Sequence, residues 1–458
     1  MTEENAKDIK EKCAVFGIRS SEEVFDSIYY GLYSMQHRGQ ESAGMATFSE
    51  GKINLHRDLG LVQDVFRNVR LPGRTGVGHV RYSTCGGSVL ENSQPLQINY
   101  SLGSFAIAHN GNLVNAKEVR ENLERKGSIF TTTTDTEIIA QLIVREHLKT
   151  GDYIEGIKSA MNELRGSYSL AILRDEQVIA VRDPWGFRPL VLGKSDKAQA
   201  VASETCALDA LGMKVIRDVK PGEIAVIGDS IEYFQARKEQ PAYCMFEYVY
   251  FARPDSILNE VSVYEVRRNL GRILAMESPV DADIVVAVPD SGTTAAIGFS
   301  QESKIPYGEG LMKNRYLGRT FIMPRQKDRE NGGKIKLNPI KSEIEGKKVV
   351  LVDDSIVRGT TIRRIIALLR ENGAAEVHVR ISCPPIRCPC YYGIDMQTYE
   401  EFIAQTKSVK AIGKEIGADS LAYISLEGLV NAIGLDEKLC LACLNGEYPI
   451  KEGQTKLI

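Results

Sequence analysis

The stretch that most restricts the fold is Val349-Val350-Leu351-Val352-Asp353-Asp354-Ser355-Ile356-Val357-Arg358-Gly359-Thr360-Thr361. Its leading apolar run predicts a strand buried on both faces, and such strands belong to parallel sheets covered by helices on either side. The strand ends in two acids, then in a hydroxyl- and glycine-bearing loop that opens a helix. Ligands of open parallel sheets bind at such carboxyl ends, and N–H groups at a helix start cradle phosphate. A P-loop is excluded, because no lysine follows the glycine. A second run at residues 283–288 leads into Val288-Pro289-Asp290-Ser291-Gly292-Thr293-Thr294-Ala295, another strand-to-helix turn. From about residue 222 onward the pattern predicts a doubly wound α/β domain.

The first half reads differently. Short strands such as Gly76-Val77-Gly78-His79-Val80-Arg81-Tyr82 and Ser104-Phe105-Ala106-Ile107-Ala108-His109 alternate with helical patterns at residues 22–36 and from Asp135, which predicts an α+β domain. The polar stretch 231–240 separates the two patterns, so the expected division is residues 1–12, 13–235 and 236–458. Fifty-seven Lys+Arg against 60 Asp+Glu, a net charge of −3, argues against a dedicated nucleic-acid or anionic-membrane binder. The first twelve residues hold four acids and three bases, unlike a signal peptide, and no run approaches the roughly 20 apolar residues of a membrane span. Nine cysteines, an odd number in a long chain, do not suggest a disulfide framework. A cytoplasmic enzyme is the expectation.

Cys13 opens Cys-Ala-Val-Phe-Gly-Ile and alone reads as a small buried thiol. It is accompanied by His37-Arg38-Gly39-Gln40-Glu41-Ser42-Ala43-Gly44, Gly78-His79-Val80-Arg81-Tyr82-Ser83-Thr84, His109-Asn110-Gly111-Asn112-Leu113 and Thr134-Asp135-Thr136-Glu137. In this order and spacing the segments resemble the class II glutamine amidotransferases, N-terminal-nucleophile hydrolases of αββα architecture, from Cys13 to about residue 235. The resemblance implies that residues 1–12 are a propeptide. Its removal frees an α-amino group, of unperturbed pKa about 7.7–8.0, to act as base for the Cys13 thiol. It further implies that Arg81 meets the glutamine α-carboxylate as a fork, that Asp135 holds the α-ammonium, and that the Asn110 side chain and the Gly111 N–H form the oxyanion hole. As an isolated dipeptide Asn110-Gly111 also reads as a hairpin turn. Arg38 and Gly39 read equally as pocket neighbours or as structure, and residues 182–190 read as scaffold.

Residues 349–361 resemble the phosphoribosyl-pyrophosphate motif of type I phosphoribosyltransferases. By charge, Asp353 and Asp354 meet ribose hydroxyls and a Mg²⁺, while Ser355, Arg358, Gly359, Thr360 and Thr361 surround the 5-phosphate. The 288–295 turn is assigned to the pyrophosphate end, with Ser291 as a metal neighbour. Between Lys313 and Lys348 there are eleven Lys/Arg against four Asp/Glu; such a run is often a solvated loop, and the resemblance makes it a lid in which Arg319, Arg325 and Lys327 stand out. Together the halves resemble enzymes that release ammonia from glutamine and deliver it to C1 of 5-phosphoribosyl 1-pyrophosphate, the first step of purine synthesis. That implies Tyr264 along the ammonia path, purine nucleotides as feedback inhibitors and a homotetramer. The rival readings are another class II amidotransferase, which residues 349–361 argue against, and a phosphoribosyl-pyrophosphate-sensing regulator, which has no use for a glutaminase site.

Cys440-Leu441-Ala442-Cys443 has the spacing at which two thiolates reach one metal centre, or form a redox pair. The pattern leaves open which of Cys383, Cys388 and Cys390 joins them, and whether zinc or an iron–sulfur cube is held. The resemblance extends to the iron–sulfur-containing Bacillus-type branch, and it implies a [4Fe–4S] cluster on Cys244, Cys390, Cys440 and Cys443, with Cys85, Cys206, Cys383 and Cys388 as ordinary thiols.

Overall fold

The computed structural model describes residues 13–82, 89–314, 337–396 and 398–451. Period-two alternation builds the first half into four layers. Along the strand Ala14–Ser20, Ala14, Phe16 and Ile18 face one side and Val15 the other; along Gly103–Leu113, Phe105 and Ile107 oppose Ala106 and Ala108. The Val15 and Ala106 faces meet in a core dominated by small residues, among them Ala46, Ala171, Ala180 and Ala225. That core lies between a seven-stranded and a six-stranded sheet. The outer faces are covered by the helix Phe25–Ser34 on one side and by Asp135–Thr150 and Tyr153–Glu163 on the other. This is the expected αββα arrangement, with Ala14–Ser20 the central strand of its sheet.

Half of the polar 231–240 stretch is not a linker. Ile231–Gln235 is the edge strand of the six-stranded sheet, paired antiparallel with Glu223–Ile227. A strand at an edge has little to bury, so it reads as polar.

The second half contains four parallel strands in the order Ile284–Ala287, Lys348–Asp353, Glu376–Ile381, Ser420–Tyr423. Tyr307 adds a parallel bridge to Val285 on the outer side, so the chain runs outward once and then returns past its first strand. This is the doubly wound order, and its switch point falls between Ile284–Ala287 and Lys348–Asp353, the two strands that feed the 288–295 and 353–361 loops. The helices Val263–Glu277 and Thr293–Ser303 cover one face, and Thr360–Glu371 and Val409–Ile416 the other. The first pair cross in close contact: a Cβ on Gly271 would stand 1.8 Å from the Ala295 carbonyl oxygen, and one on Gly298 1.9 Å from that of Arg268. No helix among the described residues is long and apolar enough to cross a membrane.

Gly298→Ala should force these helices apart and destabilise the protein by about 1–3 kcal/mol, the usual range for an overpacked contact; urea unfolding against the parent measures it, and an unchanged midpoint refutes the close-contact argument.

Candidate active sites

Cys13 stands at the entrance to the central strand, where the register Ala14↔Val80 brings it beside Arg81. Its Sγ lies 3.5 Å from the Tyr82 carbonyl oxygen. Burial pushes the thiol up, the Arg81 guanidinium pulls it down, and Asp135 and Glu41 push it up again. Gly39 permits the fit, since a Cβ there would sit 2.6 Å from the Val80 carbonyl carbon and 2.7 Å from the Arg81 nitrogen.

Asp135 starts its helix with Oδ2 accepting the Leu113 N–H at 3.0 Å and Oδ1 3.4 Å from His109 Nδ1. Burial pushes its carboxyl up, but His109 and the N–H groups of Leu113 and Thr136 outweigh burial and hold it below the ordinary carboxylate value. The helix start is thereby tied to the strand carrying Asn110 and Gly111. These two lie inside Gly103–Leu113, paired with Gly166–Arg174, so they do not form a hairpin turn. Gly111 has φ 153°, and a Cβ on it would stand 2.0 Å from the Ser167 carbonyl oxygen. Asn110 is 1% exposed, and its Nδ2 has no hydrogen-bond partner among the described residues. A buried, unmatched amide N–H is costly, and it suits a group that meets a developing oxyanion.

His79 connects the strand Thr75–Arg81 to this region through Nε2 to the His109 carbonyl oxygen at 3.1 Å. Burial pushes it down to about 3, so it is neutral. Arg38, read from sequence as either pocket or scaffold, is both. Its Nε donates to the Cys13 carbonyl oxygen at 3.3 Å, Nη1 to Glu204 at 2.6 Å and Glu247 at 2.9 Å, and Nη2 to Glu247 at 2.8 Å. Glu247 also accepts from Arg188 Nη1 at 3.0 Å. The motif reading missed Glu204, Glu247 and the reach of Arg188, because each partner is distant in sequence.

At the switch point, Asp353 and Asp354 are buried side by side. Burial first and the Asp354 charge second push the Asp353 carboxyl up. The Ser291 hydroxyl is 3.5 Å from Asp353 Oδ1, and Ser355 Oγ donates to Asp354 Oδ2. Gly292 lets the two loops meet, a Cβ there standing 2.4 Å from the Val352 carbonyl oxygen. The helices Thr293–Ser303 and Thr360–Glu371 start on glycines with no side-chain cap, whereas Ser262, Ser408 and Ser425 cap other helices of this half. Their first-turn N–H groups thus face the loop region, which suits phosphate. Gly359 has φ 77°, and Arg358 pairs with Glu401 at 3.1 Å. No three His, Cys, Asp or Glu side chains among the described residues are grouped to hold a metal ion. Two carboxylates nevertheless suit Mg²⁺, which keeps waters and takes substrate phosphates as further ligands.

Tyr264, in the first turn of Val263–Glu277, is 39% exposed and no core aromatic. Arg319, Arg325 and Lys327, residues 1–12 and Cys85 lie outside the described residues.

The thiols converge from three segments. Tyr243–Cys244 pairs in parallel with Leu439–Cys440, Cys244 opposite Cys440. The Cys443 carbonyl accepts the N–H groups of Arg387 and Cys388 at 2.9 and 3.1 Å. Burial pushes the Cys440 and Cys443 thiols up, and each also feels Cys244 and Cys390. Cys388 instead lies against Gly446, 3.4 Å from where its Cβ would be. The 384–390 segment, with three prolines, is irregular rather than a strand, so alternation does not make Cys388 and Cys390 equivalent. The eight cysteines among the described residues form no disulfide with one another.

Residues 79–210 match the model of a glutamine amidotransferase domain, and residues 256–394 that of a phosphoribosyl transferase domain. An amidophosphoribosyltransferase of Methanocaldococcus jannaschii is 54% identical, covering 97% of this chain and 99% of its own. That of Bacillus subtilis is 49% identical, covering 97% and 95%. The chain belongs to the amidophosphoribosyltransferase family. A solved structure of the Bacillus subtilis glutamine phosphoribosylpyrophosphate amidotransferase, complexed with ADP and GMP, superposes with a TM-score of 0.89 at 47% identity, over 95% of this chain and 97% of that one. Another, described as the allosteric regulatory enzyme of purine biosynthesis, gives 0.91 at 47% identity over 97% and 98%. The activity is accordingly the glutamine-dependent amination of 5-phosphoribosyl 1-pyrophosphate that begins purine synthesis, with glutamine and that sugar phosphate as substrates.

Burial pushes the Glu204 carboxyl up, but His37 and Arg38 outweigh it and hold it well below the usual range. A depressed folded value contributes stability above the unfolded pKa of about 4.3 that is lost as pH falls. Glu204→Gln should cost about 3 kcal/mol at pH 7, and the gap to the parent should narrow below about pH 4; urea midpoints across pH test this, and a pH-independent gap contradicts it.

Proposed function

We propose the following division of labour within the established activity. With residues 1–12 removed, the Cys13 α-amino group takes the proton of its own thiol, and the thiolate attacks the glutamine carboxamide carbon. Asn110 Nδ2 and the Gly111 N–H stabilise the tetrahedral oxyanion. The protonated amino group gives its proton to the leaving ammonia, and water then hydrolyses the thioester to glutamate. Arg81 and Asp135 hold the substrate's carboxylate and ammonium. The observation that most supports this reading is the Nδ2 of Asn110, buried beside Gly111 with no hydrogen-bond partner among the described residues.

Ammonia passes by Tyr264 to the second site and displaces pyrophosphate from C1 of the ribose. Asp353 and Asp354 bind the ribose hydroxyls and, with Ser291, a Mg²⁺, which when bound neutralises the departing pyrophosphate. Ser355, Arg358, Gly359, Thr360 and Thr361 bind the 5-phosphate through hydroxyl, guanidinium and N–H donors. Neutral or cationic donors at the phosphate and acids at the ribose are the arrangement that charge permits.

Cys244, Cys390, Cys440 and Cys443 hold a [4Fe–4S] cluster, which when bound cross-links three segments through iron–thiolate bonds. The donor set suits it: four neighbouring thiols, with the Arg188 charge beside Cys244 and Cys390. The enzyme works in the cytoplasm as a homotetramer and is inhibited by purine nucleotides. The nucleotide-bound Bacillus relative supports the last point.

Cys13→Ala should abolish glutamine-dependent synthesis while leaving ammonium-dependent synthesis within about twofold of the parent, since the two reactions share only the second site. Loss of both overturns the assignment. Anaerobically purified protein should contain iron and acid-labile sulfide, and the mature chain should begin at Cys13. A metal-free protein overturns the cluster, and an active enzyme still carrying Met1 overturns the propeptide.

A further inference from the structure

The 390–393 loop touches two places with different chemistry. At one end is Cys390, among the four thiols. The next three residues all contact the glutaminase half. The Tyr391 carbonyl accepts from Asn112 Nδ2 at 3.0 Å, and the Tyr392 carbonyl from Arg188 Nη2 at 2.9 Å. Gly393 lies directly on the oxyanion strand: a Cβ there would be 3.1 Å from the Gly111 carbonyl carbon, 3.3 Å from its oxygen and 3.5 Å from Asn112 Cβ. Its φ of 97° is left-handed, so both conformation and space call for glycine. Asn112 is 2% exposed and buries its amide to make this contact.

We propose that the 390–393 loop is a positioning element for the glutaminase oxyanion hole, and that through the Asn112–Tyr391 and Gly111–Gly393 contacts it transmits the state of the thiol site to Cys13 chemistry. Oxyanion stabilisation depends on donors fixed where charge develops, and displacements of about an ångström cost rate heavily. The strand Gly103–Leu113 is held on one side by Gly166–Arg174 and by Asp135; the 390–393 loop adds a brace from the other half of the molecule. Asn112 touches no reacting atom and acts through Gly111 and Asn110. The transmission half of the proposal rests on the iron–sulfur reading, whereas the bracing half does not.

The test uses full-length enzyme. Asn112→Ala should lower kcat with glutamine about tenfold or more, with KM within about twofold and ammonium-dependent synthesis unchanged. Affinity for L-glutamate γ-semialdehyde, whose thiohemiacetal places an oxyanion in the hole, should fall in parallel, while affinity for glutamate should not. Gly393→Ala should reproduce this pattern, and ammonium-dependent synthesis reports folding in each variant. Normal glutamine turnover in both variants, or equal loss with ammonium, overturns the brace. Stripping iron from the parent with a chelator should give the same loss of semialdehyde affinity, and stripping Asn112→Ala should add little, because both act through one loop. Losses that multiply independently overturn the transmission, and absence of iron from all anaerobic preparations overturns the cluster reading while the variant kinetics still judge the brace.

Discussion

Glu247 is the group on which both halves of the molecule depend. One carboxylate takes three donor bonds, two from Arg38 and one from Arg188, all three side chains being essentially excluded from solvent. With Glu204 on the far side of Arg38, the set contains two cations and two anions. Such a group is tolerable in a low dielectric only when complete, since removing one member leaves an uncompensated buried charge. Each guanidinium also donates to backbone, Arg38 to the Cys13 carbonyl and Arg188 to that of Tyr392. Charge balance is thus converted into the placement of a nucleophile on one side and of a thiol-bearing loop on the other. The turn that carries Glu247 is fixed in its own right by Arg267, which donates to the carbonyls of Tyr248 and Ala252 at 2.8 Å.

The two sites are prepared in opposite ways. Around Asp135 the protein supplies the partners itself, and the carboxyl is held ionised by His109 and by backbone N–H groups. At Asp353 burial and the neighbouring Asp354 charge push the carboxyl up and disfavour its ionisation. The first carboxylate has its charge matched by the protein's own groups. The charge of the second is opposed by its surroundings. The helix starts flanking the switch point, Thr293–Ser303 and Thr360–Glu371, likewise carry no side-chain cap, which leaves first-turn N–H groups suited to an anion.

How much of this was legible in the sequence depended on how local its causes are. The 349–361 motif contains its whole meaning within thirteen residues: apolar strand, two acids, a left-handed glycine and a helix start. Cys13 and its companions were readable by resemblance, each as a short motif. Asn110-Gly111 was ambiguous, because what prevents a turn is pairing with residues 166–169, nearly sixty positions on. Glu247 reads as an unremarked acid in an aromatic run, since its partners lie 209 and 59 residues away. Cys390 and Cys388 could not be separated by periodicity, because three prolines put their segment outside any periodic structure. Ile231–Gln235 read only as a polar stretch between the two patterns for the complementary reason that an edge strand is a periodic element with little hydrophobic signal.

The junction between the halves has to satisfy a further demand, set by the ammonia that the reaction moves: water must be kept out. An extensive apolar cluster among the described residues reaches the junction, running from Phe187 through Phe246, Val249 and Phe251 to Tyr392, Ile394 and Leu444. Phe187 and Tyr392 stack across it at 4.1 Å between ring centroids. Cys390, Cys440 and Cys443 belong to that same cluster. Apolar contacts alone would let the 386–394 segment, which has no regular structure, slide against its neighbours, because hydrophobic burial is non-directional. Directional constraints come from the Arg188–Tyr392 and Asn112–Tyr391 bonds. The thiol site therefore stands where an irregular segment must be both dry and fixed, and where regular secondary structure supplies neither.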